Sequence, residues 1–156
     1  MKKAIAAAKE SAENGDYPIG SVVVKDGEVI ATGYETLKSE NDPVNGHAEI
    51  AAIRKACKAL GEPYLIDCTL YSTHEPCPMC ASASFWAKVS RIVFSVSREN
   101  MIAHMNEVAK EADEDFSWRQ IDISCESIIN SGQGFGLIKI ESGVLRDEGL
   151  KLFDLA

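Results

Sequence analysis

A chain of 156 residues, 46% apolar and 26% charged, has the size and composition of one compact globular domain with a sizeable core. No apolar run reaches the roughly 20 residues that a membrane-crossing helix needs, and Met1-Lys2-Lys3 opens an alanine-rich helix rather than a signal peptide. A net charge of -8 disfavours a nucleic-acid substrate, whose binders gather basic residues on one face, and is neutral toward a small one.

In chain order, the pattern predicts a helix over 2–14 ending at Asn14-Gly15, then an apolar strand over 19–25. Asp26-Gly27 is a two-residue hairpin signal, and 28–34 returns antiparallel. The polar stretch 38–46, carrying Asp42-Pro43, is a loop. A helix follows over 48–60, apolar on one side and basic on the other, and stops at Gly61-Glu62-Pro63. A strand over 69–73, a helix from Pro78 to about Lys88, a strand over 91–97 and a helix over 100–111 come next. Residues 119–136 are the least legible stretch; within them the glycine-rich 131–136, which lacks a P-loop lysine and a complete dinucleotide motif, reads as a loop. A strand over 137–141 and an amphipathic helix over 143–155 close the chain, with Val144, Leu145, Leu152 and Phe153 as its core side. Strands alternating with helices after an opening hairpin imply a single domain over 1–156. Its class is a three-layer α/β/α sandwich on a central mixed sheet of about five strands.

Two short motifs carry chemistry. His47-Ala48-Glu49 begins the second helix, and Pro76-Cys77-Pro78-Met79-Cys80 begins the third. One imidazole and two thiolates make a three-ligand tetrahedral zinc set whose fourth position is left for water, the arrangement of a catalytic rather than a structural site. Neutral His47 with thiolates at Cys77 and Cys80 balances the charge of one Zn2+ per chain. Glu49 lies two residues beyond His47 on another helix face, suited to work beside the metal without binding it. Alone, Cys-x-x-Cys could be a redox pair, half a zinc ribbon or two buried thiols, and His-Ala-Glu a solvated helix start. Together, each at a helix start after a strand-like run, they point to catalysis. Cys57, Cys68 and Cys125 lie in apolar settings as buried, reduced thiols, which fits a cytoplasmic location.

His-x-Glu followed by Pro-Cys-x-x-Cys is the signature of zinc deaminases acting on bases. With HAEIAAIRKACKAL, TLYSTHEPCPMC and FWAKVSRIVF as the closest stretches, and YPIGSVVVKDGEVIATG before them, the chain resembles the cytidine deaminase superfamily. Within it, the small bacterial zinc guanine deaminases are most similar; tRNA-specific adenosine deaminases and fungal-type cytosine deaminases are similar in the same places. The resemblance implies the cytidine deaminase-like fold, zinc ligands His47, Cys77 and Cys80, and Glu49 as the proton shuttle. It implies a backbone donor to the substrate at Ala48, a homodimer, and release of ammonia from a free heterocyclic base with water as co-substrate. Guanine is the first expectation, or a related amino-purine, pterin or triazine; tRNA adenosine deamination and cytosine deamination are the alternatives. A non-catalytic zinc module would have no use for Glu49.

Further substrate contacts are open. Trp86 either stacks on a planar base or is a core residue of the third helix, and Glu114 (or Asp113) either moves protons or belongs to a solvated turn. His74 stands where a small or apolar residue is usual and lies close to the site in sequence; His104 is expected on the surface of the fourth helix. The loop Asp42-Pro43-Val44-Asn45-Gly46 is one residue longer than the family's, and Glu35 stands where the family has a base-reading asparagine. Either Glu35 reads the base edge, favouring N–H and NH2 groups, or Asn41 or Asn45 does so in its place.

Overall fold

The structure is a computed structural model and describes residues 1–112, 119–133 and 136–156. Five strands form one mixed sheet in the order β2-β1-β3-β4-β5: β1 (Gly20–Lys25), β2 (Glu28–Tyr34), β3 (Cys68–His74), β4 (Arg91–Val96) and β5 (Lys139–Glu141). β1 runs antiparallel to both β2 and β3, while β3, β4 and β5 are parallel. The hairpin turns at Asp26 and Gly27, both with positive φ (51° and 81°), as a two-residue primed turn requires. Among the described residues, six α-helices surround the sheet: α1 (Lys2–Glu13), α2 (Ala48–Leu60), α3 (Pro78–Trp86), α4 (Arg98–Glu111), α5 (Cys125–Asn130) and α6 (Arg146–Leu150).

Two glycines explain the layering. A Cβ on Gly33 would sit 1.9 Å from the Ala48 carbonyl oxygen, so β2 and the first turn of α2 meet backbone to backbone. A Cβ on Gly20 would sit 2.4 Å from the Ala4 carbonyl oxygen of α1. Gly33 pairs with Ser21, the neighbour of Gly20, and neighbouring strand residues face opposite ways, so α1 and α2 cover opposite faces. The core on the α2 side joins Val23, Leu70, Ile92 and Phe94 of the sheet to Ala52, Ile53 and Ala56 of α2, Ala81 of α3, and Cys125 and Ile129 of α5.

The expected sandwich of five strands is what forms, with differences toward the end of the chain. The stretch 119–136, which carried no legible pattern, contains α5, capped by Ser124, whose hydroxyl accepts the Ser127 N–H. The last strand is shorter than expected: it covers 139–141, and Leu137 is 89% exposed. The closing helix is broken as well. Gly143 and Leu145 take positive φ (77° and 55°), α6 spans one short turn, and Lys151–Leu155 continues as a 3-10 helix. Of its four expected core residues only Leu152 is buried; Val144, Leu145 and Phe153 are half-buried. Among the described residues, no helix is long and apolar enough to cross a membrane.

Candidate active site at the start of two helices

His47 and Cys77 each stand one residue before a helix, with extended backbone (ψ 132° and 166°), and Cys80 lies in the first turn of α3. His47 was expected inside the first turn; it is instead the N-cap residue. The loop between β2 and α2 is closed at its neck by the Thr36 N–H, which donates to the Gly46 carbonyl at 2.8 Å. That bond sets Glu35 and His47 side by side. Farther along, Asp16 accepts the Lys38 and Ser39 N–H groups at 2.6 and 3.2 Å and pins the loop to the end of α1.

The His47 Nδ1 atom lies 3.6 Å from Cys80 Sγ and 3.9 Å from Cys77 Sγ, and the three donor atoms are all within 4.8 Å of one another. Zinc bonds of about 2.0–2.1 Å to nitrogen and about 2.3 Å to sulfur, at a tetrahedral angle, place N and S about 3.6 Å apart. The two nitrogen–sulfur distances therefore match those around a shared zinc ion. Proton sharing within it is uneven. The neighbouring Cys80, with His47 adding to the effect, holds Cys77 down to about 4. Its bond to Cys77 pushes His47 up to about 9, and Cys80, losing by the same exchange and by burial, is raised well above the usual thiol value.

Glu49 is 3% exposed and stands beside the cluster. Its Oε2 accepts the Cys80 S–H at 3.6 Å and its Oε1 accepts the Ser72 hydroxyl at 3.2 Å. Burial, then the Cys77 charge, raises its pKa, as suits a carboxylate that takes up and returns a proton.

Among the expected substrate contacts, Glu35 and Ala48 are at the site. The Glu35 carboxyl is 2% exposed and accepts the Ala48 N–H at 3.1 Å; burial, with the Glu49 charge behind it, pushes it up to about 8. The Ala48 amide thus already has a partner within the chain. Asn45 is exposed, and its side chain donates to Asp42 in the loop. Asn41 is exposed, with φ 53°. His74 is buried, its Nδ1 3.1 Å from Thr73 Oγ1, and its ring meets Phe153 at 5.5 Å. His104, expected on the surface, is half-buried and stacked on the other side of the contact, 4.3 Å from Phe153. Trp86 is 76% exposed, about 12 Å along α3 from Pro78, so it is not a core residue. Glu114 and Asp113 lie outside the described residues. Cys68 and Cys125 are buried as expected, Cys57 is half-buried, and all three thiols are free. Burial pushes Cys125 up to about 12 and keeps it inert.

Two residues escaped the sequence reading. Ser72 touches Glu49, and the carboxylate of Glu75 accepts the Arg98 N–H and the Cys125 N–H, both at 2.8 Å. Glu75 thereby fastens the starts of α4 and α5 to the turn that carries Cys77. The available signal was Ser72-Thr73, a pair of adjacent hydroxyls near the end of a central strand.

Residues 1–96 match the family model of the cytidine and deoxycytidylate deaminase zinc-binding region. The chain belongs to this family. It is 39% identical to the guanine deaminase of Bacillus subtilis over 127 residues, 81% of this chain and 77% of that one. It is 47% identical to the tRNA-specific adenosine deaminase of the same organism over 94 residues, 60% of this chain and 58% of that one. Two solved structures agree. One, from a study of A-to-I editing by tRNA:A34 deaminases, has a TM-score of 0.74 at 31% identity, covering 97% of this chain and 96% of the other. The other is the Bacillus subtilis guanine deaminase, at TM-score 0.61 and 36% identity over 78% and 83%. The protein is a zinc-type deaminase, a hydrolase of C–N bonds, with His47, Cys77 and Cys80 placed as zinc ligands.

Proposed function

We propose that this deaminase acts on a free aminated heterocyclic base, guanine first, replacing a ring amino group by oxygen from water and releasing ammonia. The observation that carries the reading is Glu49: a buried carboxylate against the ligand cluster that is not part of it. When bound, zinc lowers the pKa of water toward about 7 and so supplies a nucleophile at neutral pH. Glu49 takes up one proton from water and passes it to a ring nitrogen. It then takes up the remaining hydroxyl proton and passes it to the departing amine, which leaves as ammonia as the C–N bond breaks and the ring carbonyl forms. Its raised pKa brings the two protonation states closer together in energy. His47, Cys77 and Cys80 hold the ion, Glu35 and Ala48 form the wall on the β2 side, and the exposed Trp86 end of α3 offers apolar surface for a homodimer.

Supporting a small substrate are the guanine deaminase relative, matched over most of its length, and the net charge of -8. The competing reading, adenosine in a tRNA anticodon loop, is favoured by the structural likeness over 97% of the chain. Ammonia release from a panel of free bases and nucleosides, beside an anticodon stem-loop RNA, decides between them. Turnover of free guanine is expected; turnover of the RNA alone would replace this reading with the second.

A further inference from the structure

Ser72 sits on the central strand β3 with no exposed surface, and its hydroxyl donates to Glu49 Oε1 at 3.2 Å. Across the strand pair stands Ser21 of β1, equally buried, whose hydroxyl has no partner among the described residues. Gly33 of β2 pairs with Ser21 in turn, so Gly33, Ser21 and Ser72 form one row beneath the first turn of α2. The next row on this face, Val23 beside Leu70, is wholly apolar. Packing alone has no need of hydroxyls here, because a buried unpaired one is unfavourable.

Resting on the reading of Glu49 as the proton carrier, we propose that Ser72 is a positioning residue for this reaction. It clamps Oε1 of Glu49 so that Oε2 stays turned toward the ligand cluster. A glutamate has three rotatable side-chain bonds, and an untethered carboxylate would spread over several rotamers. The receiving oxygen has to meet water and then the ring within a narrow range of positions, and displacement by about 1 Å can lower a rate about 100-fold. With Oε1 held by the sheet and Cys80 facing Oε2, the geometry is set before substrate arrives.

The test is a double-mutant cycle with an internal control. Ser72→Ala should lower kcat about 10-fold to 100-fold, the size expected for a lost hydrogen bond to a charged group, with KM, zinc content and melting temperature little changed. Ser72→Thr, which restores the hydroxyl, should recover most of the rate. Ser21→Ala, the same change in the same row without a bond to Glu49, should leave kcat within about twofold. In a Glu49→Ala background, Ser72→Ala should cause no further loss. An equal loss in both backgrounds, or an unaltered kcat in Ser72→Ala, overturns the positioning role. Retention of more than about a hundredth of the rate by Glu49→Ala alone instead overturns the reading on which it rests.

Discussion

Most residues of β3 and β4 are buried, whereas α4 buries none of its fourteen and β5 is three residues with both ends exposed. The family match stops at residue 96, close to where this change occurs. The first region holds the zinc ligands and Glu49 in a lattice of strand pairs and close helix contacts. The second joins it through the short β4–β5 pairing, the core residues Cys125, Ile129 and Ile138, and particular bonds: Glu75 to the starts of α4 and α5, and Phe153 between His74 and His104. Dense packing thus serves the chemistry, and the sparser region meets it at the rim of the site.

The zinc cluster gives the largest expected effect and tests whether the first region holds the metal alone. In the metal-free protein at pH 7, His47 and Cys80 carry protons and Cys77 does not. Zinc must displace both, so about two protons should leave per ion and affinity should fall about 100-fold for each pH unit between 8 and 5. Indicator-dye proton release during zinc addition measures this, and release of none would break the assignment of the ligands. Next in size, Glu49→Ala should keep one zinc per chain and its melting temperature while losing about 100-fold to 10,000-fold in kcat.

His74 probes the joint between the regions. Burial, with the His104 charge added, holds it down to about 4, below the ordinary 6.5 of the unfolded chain. As pH falls through 6.5 the unfolded chain takes up a proton that the folded one refuses until about 4. Stability from neutral His74 is therefore complete above 6.5 and lost toward 4, by up to about 3 kcal/mol. Urea denaturation at pH 7 and pH 4.5 should show His74→Leu to be the less acid-sensitive protein; equal slopes would remove His74 from that joint. The smallest expected effect concerns Glu35. Glu35→Asn should shift the ranking of guanine against amino-rich rings by about tenfold, since an amide presents a different donor and acceptor pattern from a carboxyl that, with its pKa pushed up to about 8, is mostly protonated at neutral pH. A fixed ranking across the panel would leave Glu35 as a cap for the Ala48 amide only.

Legibility follows the same division. The Asp26-Gly27 hairpin, the helix after His47 and the Pro78 start of α3 depend on neighbours in sequence, and local patterns expose them. The break at Leu145 was hidden because a non-glycine residue adopts positive φ there, and α5 because its six residues are too few for a helical period. Ser72 and Glu75 act across 23 and 50 residues of chain, distances over which no local pattern speaks. Glu35 could be singled out from its neighbours, yet its bond to the Ala48 amide needed the closed loop neck to become visible.

Gly33 has no functional group, touches no substrate and lies fourteen positions before the first zinc ligand, yet no side chain fits there. Ala48 O and Ala52 N stand 1.9 and 2.6 Å from where a Cβ would be, and both are main-chain atoms that cannot swing aside. Any larger residue would wedge α2 away from β2 and carry His47 and Glu49 with it. In a saturation scan of inherited or laboratory variants, position 33 should therefore look as intolerant as a ligand, a silent residue with the mutational profile of an active one.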